Sequence, residues 1–162
     1  MRNKMGNIKM LVMDVDGTLT DGCIYMGPDG EAMKAFNCQD GYGIAQILPK
    51  LGITPVIITG RKSKILENRA KELKIVHLHQ GVGDKLPKLE AIAQELGVDR
   101  EEIAYIGDDL NDLECLHYCG FSACPADAVP EIIDTAQYVC RRNGGRGAVR
   151  EFIDHIRQKT GA

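Results

Sequence analysis

Two aspartates, Asp14 and Asp16, directly follow the apolar run of residues 8–13. In an extended chain alternate side chains point to the same side, so both carboxylates would face one small space, with Val15 opposite. Like charges at this separation repel each other, which raises the pKa of one of them unless a cation or a proton intervenes. The pair therefore suits a metal ion, an acid/base pair, or both.

Two further apolar runs also end in polar residues. Residues 53–58 are followed by Thr59, Gly60 and Arg61, and residues 103–106 are followed by Gly107, Asp108 and Asp109. In open α/β sheets ligands bind beyond the carboxyl ends of the strands, so we expect these groups to share one edge of a sheet with Asp14 and Asp16. Lys85, at the start of a predicted helix, is expected to reach the same edge.

The residue types at this edge favour phosphoryl transfer assisted by magnesium. Carboxylates from two strand ends are hard oxygen ligands that suit Mg²⁺, whereas no Cys or His has the spacing of a zinc site. A Thr hydroxyl, a Lys ammonium and backbone N–H groups are what phosphate oxygens need. An aspartate can act as nucleophile through an aspartyl-phosphate, and Asp16 could protonate the leaving oxygen and later deprotonate water.

The elements that must position these residues alternate along the chain. Strands are predicted at residues 8–13, 53–58, 75–79, 103–106, 121–124 and 136–139, and helices at 43–51, 63–73, 85–96, 110–118 and 148–159. This alternation predicts an α/β fold with a doubly wound, mostly parallel, Rossmann-like sheet and helices on both faces. Residues 23–36, with a central Gly-Pro-Asp-Gly, predict a β-hairpin flap after the first strand that is too short to be a cap domain.

The composition excludes several classes of function. The chain has 162 residues, of which 44% are hydrophobic and 27% charged, and its net charge is -3. This predicts a single globular domain over residues 1–162 without the cationic surface that nucleic acid or acidic lipid requires. The apolar N-terminal run is interrupted by Lys9 and ends in acids, unlike a secretion signal, so we expect a cytoplasmic protein with no membrane partner. The six scattered cysteines are expected to be free thiols.

Four motifs resemble, in order, those of the haloacid dehalogenase superfamily phosphatases. They are DVDGT at 14–18, TGR at 59–61, Lys85, and GDDLND at 107–112. Within that superfamily, residues 8–156 resemble the small cap-less phosphatases of 8- and 9-carbon sugar acids, most of all those that act on 3-deoxy-D-manno-octulosonate 8-phosphate. The resemblance implies the same HAD-like fold, Mg²⁺ as cofactor and a small phosphorylated sugar acid as substrate.

The resemblance also implies a role for each motif residue. Asp14 would be the nucleophile and a Mg²⁺ ligand, Asp16 the acid/base with its backbone carbonyl on the metal, and Asp108 a further ligand. Thr59 would hold the phosphate, with Gly60 beside it, and Lys85 would neutralise the charge of phosphate and nucleophile. Asp109 and Asp112 would orient the ligands and the lysine without binding the metal, and a role at the N-terminus of the next helix is an equal alternative for both. Arg61 matches the octulosonate-type enzymes, and Arg146 is a candidate contact to the sugar carboxylate.

Three functional alternatives remain open at this stage. The first is a phosphatase of a sialic-acid-type nonulosonate 9-phosphate, whose family members tend to have an acid where Arg61 stands. The second is a receiver-like phospho-binding switch, against which Asp16 counts because it is placed to speed hydrolysis. The third is a relative that binds without turnover. The family also assembles as homotetramers, in which the hairpin and residues of a neighbouring subunit complete the site.

Overall fold

The computed structural model describes residues 7–161, and these form two sheets. The strands are β1 (Met10–Met13), β2 (Tyr25–Gly27), β3 (Gly30–Met33), β4 (Thr54–Ile58), β5 (His77–His79), β6 (Ile103–Ile106), β7 (Phe121–Cys124) and β8 (Tyr138–Val139). Six of them form a parallel sheet in the order β5-β4-β1-β6-β7-β8. Strand β1 lies inside this sheet, between β4 and β6. All four of its residues are buried, because helices cover both faces.

The helices are α1 (Cys38–Tyr42), α2 (Leu48–Lys50), α3 (Lys64–Glu72), α4 (Lys85–Leu96), α5 (Leu113–Tyr118), α6 (Pro130–Thr135) and α7 (Ala148–Thr160). A π-helical turn, Gly43–Ile47, joins α1 to α2, and single 3₁₀ turns occupy Arg100–Glu102 and Leu110–Asp112.

Two apolar cores lie on the two faces of the parallel sheet. Leu11 and Met13 of β1 belong to the core that contains Phe152 and Ile153 of α7. Met10 and Val12, which point the opposite way, belong to the core that contains Leu89 and Ile92 of α4 as well as α5 residues. The predicted doubly wound sheet with helices on both faces is confirmed. No helix in the described part of the chain has the length and apolarity needed to cross a membrane.

The predicted hairpin is present as the antiparallel pair β2 and β3. Other elements differ in their bounds. The first helical segment begins at Cys38 rather than at residue 43, because the Asn37 side chain accepts hydrogen bonds from the N–H groups of Gln39 and Asp40. Helix α6 was not predicted, since its six residues are too few to show a helical period, although Pro130 occupies a position typical of a helix start.

Candidate active site

The loop after β1 turns sharply around Val15. Its carbonyl accepts hydrogen bonds from the N–H groups of Thr18, Leu19 and Thr20, while the Asp14 N–H is held by the Ile106 carbonyl of β6 at 3.1 Å. Gly17 has φ of +91°, and a Cβ atom there would lie 2.0 Å from Asp108 Oδ2. A glycine is therefore required both by the backbone angle and by the close approach of a second carboxylate.

A buried lysine connects two carboxylates beneath this loop. Lys85, the first residue of α4, is 2% exposed, and its Nζ lies 2.9 Å from Asp14 Oδ1 and 2.8 Å from Asp112 Oδ1. Burial alone would lower the pKa of Lys85, but the two aspartates raise it above its ordinary value. The lysine is thus held as a cation against Asp14.

Asp112 is fully buried, and four donors occupy its carboxylate. Its Oδ1 accepts from Lys85 and from the Tyr105 hydroxyl at 2.6 Å, and its Oδ2 accepts from the N–H groups of Asp108 at 3.0 Å and Asp109 at 3.3 Å. Because every oxygen already has two donors, Asp112 has little capacity left for a metal ion. Its contacts instead fix the loop after β6 relative to Lys85. The orienting role of Asp112 stays a prediction.

Asp14 and Asp108 come together from two neighbouring strands. One oxygen from each, with one from Asp112, lies within 4.8 Å of the others. Burial and then Asp112 raise the pKa of Asp14 to about 6, and burial and then Asp14 raise the pKa of Asp108 to about 8. Thr18 donates to Asp108 Oδ1 at 2.9 Å and orients it. Two crowded, hard oxygen donors of this kind fit a divalent cation such as Mg²⁺, which would relieve their repulsion.

An open cleft of about 360 Å³ lies above these carboxylates. Its lining residues are Asp14, Asp16, Thr59, Gly60, Arg61, Asp109 and Asn111. Thr59 is 2% exposed and follows β4, where its N–H donates to the His79 carbonyl of β5. Asp109 is exposed at the cleft and accepts a hydrogen bond from the Leu110 N–H, so it also caps the 3₁₀ turn. The structure thus brings the four sequence motifs to one edge of the sheet.

Asp16 points away from Lys85 and towards the hairpin. Lys34 Nζ lies 2.6 Å from Asp16 Oδ1, and the Lys34 side chain is only 3% exposed. Arg61 Nε lies 3.9 Å from Asp16 Oδ2. The acid/base candidate is therefore in contact with two cations, one of which comes from the flap.

The structure does not bring Arg146 into this cleft. Arg146 is exposed and lines a separate cleft of about 140 Å³ beside Tyr25 and Asn37. The segment that carries it packs on the loop after β1 instead, since the Gly145 N–H donates to the Thr18 carbonyl at 3.0 Å. At Gly144 a Cβ atom would lie 1.9 Å from the Gly17 carbonyl oxygen, so only glycine permits this packing. Arg146 thus does not line the larger cleft within one chain, and its contact with the substrate stays a prediction.

Sequence reasoning missed five residues that contact or line the site: Thr18, Glu31, Lys34, Tyr105 and Asn111. Thr18 and Asn111 lie inside recognised motifs, so their positions carried a usable signal. Tyr105 is a fully buried hydroxyl on a strand, which needs a partner, but nothing in the sequence says which.

Comparison with known proteins identifies the family. A model of haloacid dehalogenase-like hydrolases matches residues 75–153. The 3-deoxy-D-manno-octulosonate 8-phosphate phosphatase of Escherichia coli K12 is 49% identical over 151 residues, which is 93% of this chain and 80% of that protein. The chain belongs to this phosphatase family. The predicted resemblance to haloacid dehalogenase-type sugar-acid phosphatases is thereby confirmed.

Solved structures of family members have the same fold. The Yersinia pestis 3-deoxy-D-manno-octulosonate 8-phosphate phosphatase matches with a TM-score of 0.94 and 47% identity, covering 98% of this chain and 85% of that one. The Moraxella catarrhalis enzyme, solved in complex with magnesium ion, phosphate ion and KDO, matches with a TM-score of 0.93 and 41% identity, covering 98% and 90%. These matches confirm the fold predicted from the strand and helix pattern.

Proposed function

We propose that this chain is a Mg²⁺-dependent phosphomonoesterase that hydrolyses 3-deoxy-D-manno-octulosonate 8-phosphate to the free octulosonate and phosphate. The observation that carries the proposal is the buried contact of Lys85 with Asp14, next to Asp108 and below the cleft. A carboxylate placed beside a fixed cation is suited to attack a phosphorus atom, because the cation offsets repulsion by the incoming dianion. The names of the relatives supply the substrate.

In the first half-reaction Asp14 forms a bond to phosphorus while the bond from phosphorus to the sugar oxygen breaks. Asp16 gives its proton to that departing oxygen, and the aspartyl-phosphate remains on Asp14. In the second half-reaction Asp16 takes a proton from water, the water oxygen bonds to phosphorus, and the bond to Asp14 breaks. Phosphate leaves and both aspartates return to their starting protonation states.

Lys85 and Thr59 serve the charge and position of the phosphoryl group. Lys85 is held at 2.9 Å from Asp14 and supplies a fixed positive charge throughout both half-reactions. Thr59 lines the cleft at the end of β4, with Gly60 next to it, and its hydroxyl would donate to a phosphate oxygen. In a loose transition state such positioning carries much of the catalysis.

We propose Asp14 and Asp108 as carboxylate ligands of Mg²⁺, with the backbone carbonyl of Asp16 as a third. The four donors on Asp112 support its assignment as an orienting residue rather than a ligand. When bound, the ion would supply charge neutralisation at the transferred phosphoryl group. Asp109, at the rim of the cleft, belongs to the same supporting group.

Arg61 supports the choice of an octulosonate over a nonulosonate. Its side chain is 46% exposed at the rim of the cleft, and the nonulosonate-type relatives tend to have an acid at this position. A 9-phosphate of a sialic-acid-type sugar remains the alternative substrate, with the same mechanism. The family comparison favours turnover over the receiver-like and non-catalytic readings.

The single domain of residues 1–162 is proposed to work as a homotetramer in the cytoplasm. Four large apolar side chains of the hairpin region, Ile24, Tyr25, Met26 and Met33, are 38–64% exposed, which supports a subunit contact there. Arg146 keeps its proposed role with the sugar carboxylate only in an assembly that brings it to a neighbour's cleft. Sedimentation of the wild type and of Met26→Lys tests the contact, since the charge should shift the wild-type oligomer towards monomer.

The experiment that tests the function is phosphate release with Mg²⁺ from four substrates. They are 3-deoxy-D-manno-octulosonate 8-phosphate, the 9-phosphates of neuraminic and deaminated neuraminic acids, and a generic sugar phosphate. Preference for the octulosonate by kcat/KM supports the proposal. Preference for a 9-phosphate would keep the mechanism and overturn the substrate, and no turnover of any substrate would overturn the enzyme.

A further inference from the structure

Glu31 and Lys34 connect the hairpin to the catalytic edge through charged contacts within one chain. Glu31 lies in β3, and Lys34 follows the end of that strand. Lys34 Nζ is 3.1 Å from Glu31 Oε2 and 2.6 Å from Asp16 Oδ1. Neither residue belongs to the four catalytic motifs.

Glu31 also binds the segment that follows β4, on the other side of the cleft. Arg61 Nη2 lies 3.5 Å from Glu31 Oε2, and the Ser63 hydroxyl donates to Glu31 Oε1. Ser63 is itself 7% exposed and caps α3 through the Leu66 N–H. The carboxylate of Glu31 is thus fixed on a rigid helix start, and the position of Lys34 is fixed by Glu31.

The Lys34 side chain is more deeply buried than is usual for a lysine of an exposed flap. Its side chain is 3% exposed, compared with 52% for Lys9, which forms an ion pair with Glu102 elsewhere on the molecule. Burying an ammonium group is costly unless its partners are well placed, so a buried flap lysine has a defined position. Its Nζ donates to Asp16 Oδ1, so Oδ2, which has only the longer 3.9 Å contact with Arg61 Nε, is the oxygen for proton transfer.

We infer that Lys34 is a positioning residue for Asp16, and that the hairpin acts on catalysis through this lysine from the same chain. The inference rests on the proposed function, because it assigns how the general acid of that reaction is aimed. Lys34 fixes one oxygen of Asp16, and Glu31 fixes Lys34. The flap therefore orients the proton donor.

The test separates protonation of the leaving group from all other contributions. Octulosonate 8-phosphate loses an alkoxide that must be protonated, whereas acetyl phosphate loses a stable carboxylate that needs no acid. With enzyme in excess, rapid-quench measurement of leaving-group release in the first turnover reports only the phosphorylation of Asp14. Wild type, Lys34→Met and Lys34→Arg are compared with Lys9→Met, which removes a lysine of another ion pair.

A general acid contributes about 10²- to 10⁴-fold, so a misplaced one should cost about 10- to 100-fold. We expect Lys34→Met to lose this factor on the sugar phosphate and to stay within about threefold of the wild type on acetyl phosphate. Lys34→Arg should restore most of the wild-type ratio between the rate on the sugar phosphate and the rate on acetyl phosphate. Lys9→Met should leave this ratio unchanged. In an Asp16→Asn background Lys34→Met should have no further effect, because its action passes through Asp16.

If the wild type hydrolyses the sugar phosphate but Lys34→Met loses equal activity on both substrates, the role of Lys34 is overturned and the proposed function stands. A wild type that hydrolyses acetyl phosphate and leaves the sugar phosphate intact would refute the proposed function, and the inference with it. Thermal unfolding checks that each variant is folded. Should Lys34→Met not fold, Glu31→Gln tests the same point, and an unchanged ratio in that variant would equally refute the role.

Discussion

Replacing Lys85 by methionine should destabilise the protein strongly. The change keeps the length of the side chain but leaves Asp14 and Asp112 as neighbouring buried carboxylates. At separations of 2.9 Å and 2.8 Å, each ion pair corresponds to about 6 kcal/mol at an effective dielectric constant of about 20. Much of this offsets the desolvation of three buried charges, so we expect a net loss of about 3–5 kcal/mol in the free energy of unfolding.

The assay is urea unfolding at pH 7.5 with EDTA, followed by circular dichroism because the chain has no Trp. EDTA prevents a divalent cation from replacing the lost positive charge. Lys88→Met is the matched control, because Lys88 is exposed on the same helix. A Lys85→Met variant whose unfolding free energy lies within about 1 kcal/mol of the control would refute the reasoning, since a broken buried pair must cost more.

A second variant tests the cause of the loss. The double variant Lys85→Met/Asp112→Asn removes the negative charge of Asp112 and leaves only that of Asp14. The amide oxygen of the new Asn side chain still accepts from the N–H groups of Asp108 and Asp109. The amide NH₂ then faces the Tyr105 hydroxyl, whose oxygen can accept. We expect this double variant to regain at least about 1 kcal/mol relative to Lys85→Met. No recovery would mean that lost packing, and not repulsion, explains the destabilisation.

Three further outcomes are expected. Asp14→Asn should abolish phosphate release, and its circular dichroism spectrum should stay that of the wild type. Full activity of this variant would refute the assignment of Asp14 as nucleophile. EDTA should stop turnover and added Mg²⁺ should restore it, whereas metal-independent turnover would remove Asp108 as a ligand. Because the pKa values of Asp14 (about 6) and Asp108 (about 8) are raised, the metal-free folded state binds more protons than the unfolded chain between about pH 4 and 8. Its unfolding free energy in urea should therefore fall as pH rises from 5 to 8. Mg²⁺ should flatten this slope. The remaining slope then comes from Asp40, whose pKa burial raises to about 6, and from His79 and His155, whose pKa values burial lowers so that they act in the opposite direction. An equal slope with Mg²⁺ would contradict the metal site.

The sequence predicted that the candidate catalytic residues lie together because parallel strands end at a common edge. Asp14, Thr59 and Asp108 each follow a buried apolar run, and a strand end fixes a side chain within a few ångströms. The same reasoning placed Lys85 correctly, since it begins α4. These positions depend on backbone topology, which the alternation of strands and helices determines.

Other features depend on side-chain reach and were not predictable in this way. Lys34 and Asp16 are 18 residues apart in the sequence and come into contact because the hairpin folds back over the loop after β1. No sequence pattern predicts the angle at which a hairpin lies on the rest of the fold. Arg146 lines a cleft other than the one above Asp14, because its neighbour Gly145 packs on the loop after β1, and no sequence pattern indicated that packing. The π-helical turn at Gly43–Ile47 was also not predictable, because five residues are too few for their hydrophobic spacing to distinguish a π-helix from an α-helix.

The glycines that pack on the nucleophile loop have a consequence for the order of assembly. The hydrogen bond from Gly145 to Thr18 joins the loop that follows Asp14 to a segment far downstream in the sequence. Contacts between such distant positions form late, because much of the chain must be ordered first. A nascent chain that stops before this segment lacks the packing that holds Gly17 against Asp108. The loop after β1 therefore gains its final packing only once the chain has been made as far as Gly145.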